Sequence, residues 1–324
     1  MINVIKKAIP NGMAFSIRAA TVRFHSRARI APMKSSIFVL ILCSAGLLCT
    51  CGGIAQDLPQ TTGVPFKDGV EVKINGQGPY LFSLDLGSSI AFIIAPDLSQ
   101  QLSLPVTSKT QMHGFEANGV KDPEVDVLRI DDFELGGHTF HHSIGVAFSN
   151  ASPMLKNGKG TLGVALFQKV VVKLDYPSNR LTVSEQPLPA EDGKEVMKYT
   201  DVHLRPFLDV SLGGVLTNAC VDTGAKGMGD DLSVPSELAA KLKLQNVTKL
   251  TTTVKDILGH EHELTRATLG GDLIIGKVVV RNPTLQISGA VPYVLLGGIL
   301  NRSAITLDPQ NHRMKLEISD RARE

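Results

Sequence analysis

Two short stretches of the chain place an Asp two residues before a Gly, each at the end of an apolar, strand-like run. They are Leu84-Asp85-Leu86-Gly87-Ser88 and Val221-Asp222-Thr223-Gly224-Ala225. A carboxylate at the end of a buried strand is costly to desolvate unless it has a role. Two carboxylates that meet are what acid–base activation of a water molecule needs. We therefore predict that Asp85 and Asp222 form a catalytic pair.

The residues around each Asp predict the elements that position it. Asn75-Gly76, between alternating residues, predicts a hairpin whose second strand ends at Asp85, and Gly213-Gly214 occupies the matching place before Asp222. After each Asp loop, a Pro followed by leucines at helical spacing predicts a short helix, over residues 96–102 and 235–242.

A Leu-Gly pair closes each copy of this pattern. Gly163 lies 78 residues after Asp85, and Gly297 lies 75 residues after Asp222. A repeat of this length indicates two similar domains and not a solenoid. The predicted organisation is a first lobe at 60–185, a polar linker at 186–194, a second lobe at 195–318 and a tail at 319–324.

Composition agrees with a globular protein of many short strands. Apolar residues make up 43% of the 324 residues, charged residues 20%, and Gly (30) and Pro (17) are frequent. The fold class predicted is mainly β.

Residues 1–55 differ from the rest and predict an export signal with a basic N-terminal extension. They hold seven of the 33 Lys and Arg residues and no Asp or Glu, and residues 37–48 form an apolar run too short to span a bilayer. Gly53-Ile54-Ala55 supplies small residues for cleavage before Gln56. A mitochondrial presequence and an uncleaved anchor are less favoured alternatives. We predict a periplasmic or secreted protein, with lipid attachment at Cys49 or Cys51 less favoured than plain secretion.

Without residues 1–55 the chain is mildly acidic, with 26 basic and 31 acidic residues and a net charge of −5 (26 − 31). That charge offers no basic surface for nucleic acid. One cysteine remains, Cys220, so no internal disulfide can form, and we interpret it as a buried thiol.

The paired loops, the helices and the Leu-Gly segments together resemble the bacterial pepsin/retropepsin-like aspartyl proteases, over roughly residues 65–318. The resemblance implies an acid protease fold of two tandem β-barrel lobes, each with at least one short helix. It implies an endopeptidase that needs no metal or cofactor, and a monomer whose duplicated halves act as an internal dimer. Pairing of like lobes from two chains is the alternative. The implied partners are peptide or protein substrates.

The resemblance also implies roles for single residues. Asp85 and Asp222 match the catalytic aspartates, Gly87 and Gly224 the tight turns of the loops, and Ser88 and Ala225 a position whose hydroxyl supports the Asp. Leu162, Gly163, Leu296 and Gly297 match the segments beneath the loops. Candidates for substrate-covering flaps are 114–119 and 256–260, which contain Gly114, Phe115, Gly119, Leu258 and Gly259, and an ordinary surface hairpin is an equally favoured alternative for each.

One residue departs from the family pattern. The family has Thr or Ser after each Asp, where the hydroxyls link the two lobes, and this chain has Thr223 but Leu86. Thr223 must then find another hydrogen-bond acceptor, and a non-catalytic peptide-binding or sensor protein on the same scaffold is the alternative function.

Two other polar clusters are interpreted as ordinary surface. His138, His141 and His142 have no Cys beside them, so a solvated hairpin is favoured over a metal site. The acidic pairs Asp131-Asp132 and Asp230-Asp231 are predicted to be turn and cap residues.

Overall fold

Strands with one buried face dominate the structure. In Val70–Ile74, for example, Val70, Val72 and Ile74 are buried while the residues between them are exposed. The structure, a computed structural model, describes residues 62–66, 69–112, 123–148, 158–255 and 261–318, which all belong to one compact unit, Ala55–Glu324. The chain is mainly β, with 59% strand and 11% helix, and has an acid-protease-like fold, which confirms the predicted fold class.

The described residues before 190 form ten strands and one α-helix. They are β1 (Thr62–Pro65), β2 (Val70–Ile74), β3 (Gln77–Asp85), β4 (Phe92–Ile94), α1 (Pro96–Gln101), β5 (Val106–Gln111), β6 (Glu124–Leu135), β7 (His138–Ala147), β8 (Gly160–Gly163), β9 (Val171–Asp175) and β10 (Arg180–Ser184).

The described residues after 190 form thirteen further strands and a second α-helix. They are β11 (Val196–Lys198), β12 (Thr200–Val202), β13 (Arg205–Leu212), β14 (Val215–Val221), β15 (Leu232–Pro235), α2 (Ser236–Ala239), β16 (Leu244–Lys255), β17 (Glu261–Leu269), β18 (Asp272–Ile275), β19 (Val278–Arg281), β20 (Thr284–Ser288), β21 (Val294–Leu296), β22 (Ser303–Asp308) and β23 (Arg313–Ile318).

Short 3-10 helices follow four of the described strands. They are Val164–Phe167, Thr223–Met228, Gly298–Arg302 and Pro309–Asn311.

The first half of the chain builds a seven-stranded sheet in the order β2-β3-β8-β4-β7-β6-β5. A further pairing of β2 with β6 closes six of these strands into a barrel. The barrel is filled by apolar side chains, among them Phe82, Phe92 and Phe133, which are fully buried and contact one another through their rings.

The second half builds a larger sheet in the order β16-β17-β20-β15-β21-β14-β13-β18-β19, with β12 paired to β13. In each half, the strand that leads to the Asp loop pairs in parallel with the strand that carries the Leu-Gly segment. These pairs are β3 with β8 and β14 with β21.

Both halves contribute strands to a third, six-stranded sheet in the order β1-β10-β9-β22-β23-β11. The two halves meet where β9 pairs antiparallel with β22, for example Leu174 opposite Ile305. The sequence pattern does not predict this shared sheet, because alternation marks a strand but does not name a distant partner.

The predicted hairpins and helices are confirmed. Asn75 and Gly76 both have positive φ, of 50° and 75°, as a tight hairpin turn requires, and the turn joins β2 to β3. The helices are shorter than expected, since α1 ends at Gln101 and α2 covers only Ser236–Ala239. Among the described residues, no helix has the length and apolarity needed to cross a bilayer.

One prediction about surface acids is wrong. Asp131 and Asp132 do not form a turn but lie within strand β6, where Asp132 pairs with His141 of β7. Both are short polar residues that the sequence places between apolar ones, and the strand continues through them because Ile130 and Phe133 on either side are fully buried.

Candidate active site

The two Asp loops lie at the ends of β3 and β14. Asp85 is the last residue of β3 and is directly opposite Gly163 of β8 in the parallel ladder. Asp222 follows β14, and its backbone N–H donates to the carbonyl of Leu296 at 3.2 Å. Each loop is thus fixed by the Leu-Gly segment beside it.

The two carboxyl groups come together. They are close enough for the charge of Asp222 to raise the pKa of Asp85. Each loop glycine faces the carboxyl of the other loop: a Cβ built on Gly87 would lie 2.6 Å from Cγ of Asp222, and one built on Gly224 would lie 2.7 Å from Cγ of Asp85. Only glycine permits such an approach of backbone to a side chain.

Backbone N–H groups of the loops hold each carboxylate in place. The N–H of Gly87 donates to Oδ1 of Asp85 at 2.8 Å, and the N–H of Ala225 donates to Oδ1 of Asp222 at 3.0 Å. Hydrogen bonds to a carboxylate favour its ionised form. The loops therefore orient both groups and offset part of the cost of a buried negative charge.

The electrostatics of the pair favour a single shared proton. Burial raises the pKa of Asp85 well above its ordinary value, and the neighbouring Asp222 carboxylate raises it further. Burial also raises the pKa of Asp222, against the lowering effect of the Ala225 N–H and of the Arg205 charge. Two carboxyls in contact cannot both ionise cheaply, so the titration belongs to the pair.

The raised pKa of Asp85 predicts how stability depends on pH. A carboxyl whose pKa is raised by folding binds its proton more tightly in the folded state, so stability falls as pH rises through that raised pKa. We expect Asp85→Asn to remove this loss and to be more stable than the wild type at neutral pH. Urea unfolding at mildly acidic and neutral pH measures the difference.

Asp97, a surface carboxyl whose pKa is lowered and not raised, serves as the control. The hydrogen bond from Lys159 lowers the pKa of Asp97, which is exposed, so its contribution is present at neutral pH and is lost as pH falls. Asp97→Asn should therefore not stabilise the protein at neutral pH. An Asp85→Asn variant that is less stable than the wild type at neutral pH contradicts the assignment.

Thr223 bridges the two loops although its counterpart is Leu86. Its hydroxyl donates to the carbonyl of Leu84 at 3.0 Å and accepts from the N–H of Leu86 at 2.9 Å. The predicted need for another acceptor is met by this backbone carbonyl. The Leu86 side chain is fully buried in the hydrophobic core.

We predict that Thr223→Val destabilises the protein. The side chain keeps its shape, but the Leu84 carbonyl and the Leu86 N–H are left buried without this partner, at a cost of about 2–4 kcal/mol in the free energy of unfolding. Thr107→Val is the matched control, because that exposed hydroxyl donates to the Val127 carbonyl at 3.2 Å in contact with solvent. Equal stability losses in the two variants would contradict the bridge.

Ser88 and the flaps remain untested predictions. The Ser88 hydroxyl accepts a long hydrogen bond, 3.4 Å, from the N–H of Ile90. Gly114, Phe115, Gly119, Leu258 and Gly259 lie outside the described residues. The segments that contain them connect antiparallel partners, β5 with β6 and β16 with β17.

Sequence reasoning missed a basic residue beside Asp222. Arg205, at the start of β13, donates to the hydroxyl of Tyr293, lies 5.5 Å from the centre of its ring and lowers the pKa of Asp222. The Gly213-Gly214 turn could have revealed it, because this turn fixes the pairing of β13 with β14. That register sets Phe207 opposite Cys220, and two residues further along it places residue 205 beside residue 222.

The other chemistry-bearing residues lie elsewhere. Cys220 is buried, and burial raises the pKa of its thiol, so it is not a ready nucleophile. His141 lies on the exposed β6–β7 hairpin, with Nδ1 2.7 Å from Oδ1 of Asp132. Within the described ranges, no cluster of three His, Cys, Asp or Glu residues is arranged to hold a metal ion.

The acidic pair at 230–231 has structural partners. Asp230 is buried and binds Arg266 at 2.9 Å, while Asp231 binds Arg302 at 2.8 Å and accepts from the N–H of Thr284 at 3.0 Å. These contacts tie the chain after the second Asp loop to the sheet, so this pair is not a second catalytic dyad.

Comparison with known proteins agrees with this geometry. Residues 70–166 match the model of a family described as aspartyl protease, and the match includes Asp85 and Gly163. No curated protein matches the chain. The match over residues 70–166 and the fold support an aspartyl protease domain of the retropepsin and pepsin type.

Proposed function

We propose that the protein is an exported aspartic endopeptidase that hydrolyses peptide bonds with a water molecule activated by Asp85 and Asp222. The observation that carries the proposal is that the carboxyls of Asp85 and Asp222, from distant parts of one chain, each lie against the glycine of the other loop. The family match to residues 70–166 supports the reaction class.

The pair supplies both proton transfers that the reaction needs. With one proton shared between them, the ionised carboxylate takes a proton from the water as it attacks the scissile carbonyl, and the protonated one donates to the carbonyl oxygen. The carboxyl that took the proton from the water then donates it to the leaving nitrogen as the C–N bond breaks. No covalent enzyme intermediate forms, and the step requires no metal or cofactor.

The loops favour this chemistry by holding the carboxylates rigidly. The N–H groups of Gly87 and Ala225 fix one oxygen of each carboxyl, and Thr223 fixes the distance between the loops. Such preorganisation means that the groups need little reorientation during the reaction. Because one chain supplies both carboxyls, we propose that the monomer is the active form.

The proposed place of action rests on residues 1–55. The basic segment and the short apolar run are typical of an export signal, and the remaining chain carries a net charge of −5 (26 − 31). We propose a periplasmic or secreted enzyme that acts on peptides or proteins.

Cleavage of a peptide library by the purified protein tests the proposal. We expect internal peptide bonds to be cut at mildly acidic pH, a hydroxyl-bearing transition-state mimic to block cleavage, and a single solvent oxygen to enter each new carboxyl group. Cleavage that survives the mimic, or that needs an added metal ion, would contradict the proposed chemistry.

Leu86 is the observation that favours a second candidate, a peptide-binding protein without catalysis. It removes one of the two hydroxyls that link the loops in the family. This candidate predicts saturable peptide binding without turnover, and a gain of hydrolysis in Leu86→Thr. Turnover by the wild type excludes it.

A further inference from the structure

One face of the second-half sheet leads directly to Asp222. Residues that are opposite each other on neighbouring strands share a face, and Phe207, Cys220 and Leu295 form such a row across β13, β14 and β21. Residues two apart in a strand also share a face. The backbone is still extended at Asp222, with φ −118° and ψ 94°. Arg205 lies two residues before Phe207 and Asp222 two residues after Cys220, so both side chains belong to this face, in neighbouring positions.

The side chain of Tyr293 holds Arg205 in this place. Nη1 of Arg205 donates to the Tyr293 hydroxyl, and the guanidinium carbon lies 5.5 Å from the centre of the tyrosine ring. That ring packs edge-on against Phe207, with centres 4.8 Å apart. Tyr293 also packs against a small apolar cluster that contains Ala225, whose N–H donates to Asp222 at 3.0 Å. These contacts fix a positive charge at the border of the site.

The guanidinium of Arg205 forms no ion pair with an Asp or Glu among the residues that the structure describes. It donates to neutral groups, the Tyr293 hydroxyl and, in a long contact of 3.5 Å from Nε, the Val202 carbonyl. A guanidinium has five N–H donors, so most of them remain for another group. Other arginines of the second half each bind a carboxylate of the protein, at 2.8 or 2.9 Å: Arg266, Arg302 and Arg313. A fixed cation beside the proposed catalytic pair, without a counter-ion of its own, can bind one that enters with the substrate.

The hairpin that carries Arg205 is strained at its tip. Val202 pairs with Arg205, so His203 and Leu204 form the two-residue turn between β12 and β13. Both have positive φ, of 52° and 68°, which glycine adopts far more readily than leucine. Val202, the cross-strand partner of Arg205, is 38% exposed, and Leu204 is 37% exposed. Strained turns cluster at functional sites, and this one keeps apolar side chains exposed beside the cation, where a bound peptide would cover them.

We propose that Arg205 is a specificity-determining residue, which binds a carboxylate of the peptide close to the bond that is cut. The carboxylate is either an Asp or Glu side chain or the C-terminal carboxyl of a short peptide. A guanidinium binds a carboxylate through two parallel hydrogen bonds, which a neutral side chain cannot match. The inference rests on the proposed protease function and names its substrate class, peptides that present an acidic group on the Asp222 side of the site.

Matched peptides test the proposal through a ratio of rates. Versions of one cleaved peptide carry Glu or Gln at each position that flanks the bond, and further versions have a free or an amidated C terminus. In the wild type we expect kcat/KM to be about tenfold higher, or more, for the charged version at one place, the factor of one charge-assisted hydrogen bond. The place that responds distinguishes a side-chain carboxylate from a C-terminal one. A ratio taken within one enzyme cancels any effect of Arg205 on the Asp pair.

Variants of the chain assign the preference to Arg205. Arg205→Gln should bring the ratio close to one, mainly through a higher KM for the charged peptide. Tyr293→Phe removes only the hydroxyl that holds the guanidinium, so part of the preference should be lost. Arg281→Gln is the matched control, because Arg281 is exposed on the edge strand β19, and it should keep the wild-type ratio. A ratio near one in the wild type, or an unchanged ratio in Arg205→Gln, overturns the proposal.

Binding without turnover separates this proposal from the protease function. If the wild type cleaves no peptide, fluorescence anisotropy with labelled Glu and Gln peptides gives the same ratio from dissociation constants. Tighter binding of the charged peptide that is lost in Arg205→Gln means that the protease function fails and the carboxylate site stands. Equal binding of the two peptides, or binding of neither, overturns the carboxylate site. Cleavage of both peptides at equal rates overturns that site and leaves the protease function standing.

Discussion

Asp222→Asn and Asp85→Asn are each expected to lower kcat/KM for peptide hydrolysis by about 10³-fold or more. An amide can neither take a proton from water nor share one with the remaining carboxyl, so both proton transfers are lost together. The fold should survive in Asp222→Asn, because the amide oxygen of the new side chain can still accept from the Ala225 N–H that now binds Asp222 at 3.0 Å. Initial rates on the best library peptide give the measurement.

Asp209→Asn controls for the loss of a carboxylate as such. Asp209 lies on β13, next to the strand that leads to Asp222, but is exposed and accepts from the side chain of Asn218 at 2.5 Å. Its replacement should leave kcat/KM unchanged. Hydrolysis that persists in a folded Asp222→Asn protein, above the level expected from trace wild type, would remove the basis of the proposed mechanism.

The second large effect is expected from one methyl group. Gly224→Ala places a Cβ 2.7 Å from Cγ and 2.8 Å from both oxygens of Asp85, closer than real Cβ atoms approach other groups. The Asp85 carboxyl must move, and it cannot do so without breaking its hydrogen bond to the Gly87 N–H and changing its position relative to Asp222. A displacement of about 1 Å at a reacting group costs on the order of 10² in rate, so we expect kcat to fall by about 100-fold.

Gly289→Ala is the matched glycine variant. A Cβ there meets only the Ser236 hydroxyl oxygen, at 3.9 Å, which is an ordinary contact. We will compare kcat and thermal unfolding in both variants. In Gly224→Ala, kcat should fall by a far larger factor than any loss of folded protein can explain. Wild-type kcat in Gly224→Ala would mean that the loop glycines are not pressed against the carboxyls.

The sequence predicts the centre of the site better than its surroundings. Asp85 and Asp222 stand out because a charged residue before a Gly at the end of an apolar strand is rare, and its recurrence points to a single meeting place. The hairpin at Asn75-Gly76 is equally readable, since only a turn with positive φ at both residues suits that pair. Local signals of this kind depend only on residues that are neighbours in the chain, so they can be recognised without knowledge of the fold.

The parts that could not be predicted depend on contacts between distant residues. The pairing of β9 with β22 and the position of Arg205 beside Asp222 are set by packing of separate strands. Nothing in the composition of those strands specifies the partner. For Asp131 and Asp132 the local signal is misleading. Their residue type favours a turn, but they lie in β6 because the residues on either side of them, Ile130 and Phe133, are buried.

The shared sheet also changes what the connecting segment has to do. Between Ser184 and Val196 the chain forms no strand and is mostly exposed, whereas Leu174 and Ile305 face each other in a ladder that joins the two halves directly. Covalent continuity at 185–195 is therefore not what brings the two acids together. We expect a polypeptide nicked there to stay assembled as two fragments joined by the β9–β22 pairing, which size-exclusion chromatography of the nicked protein would show.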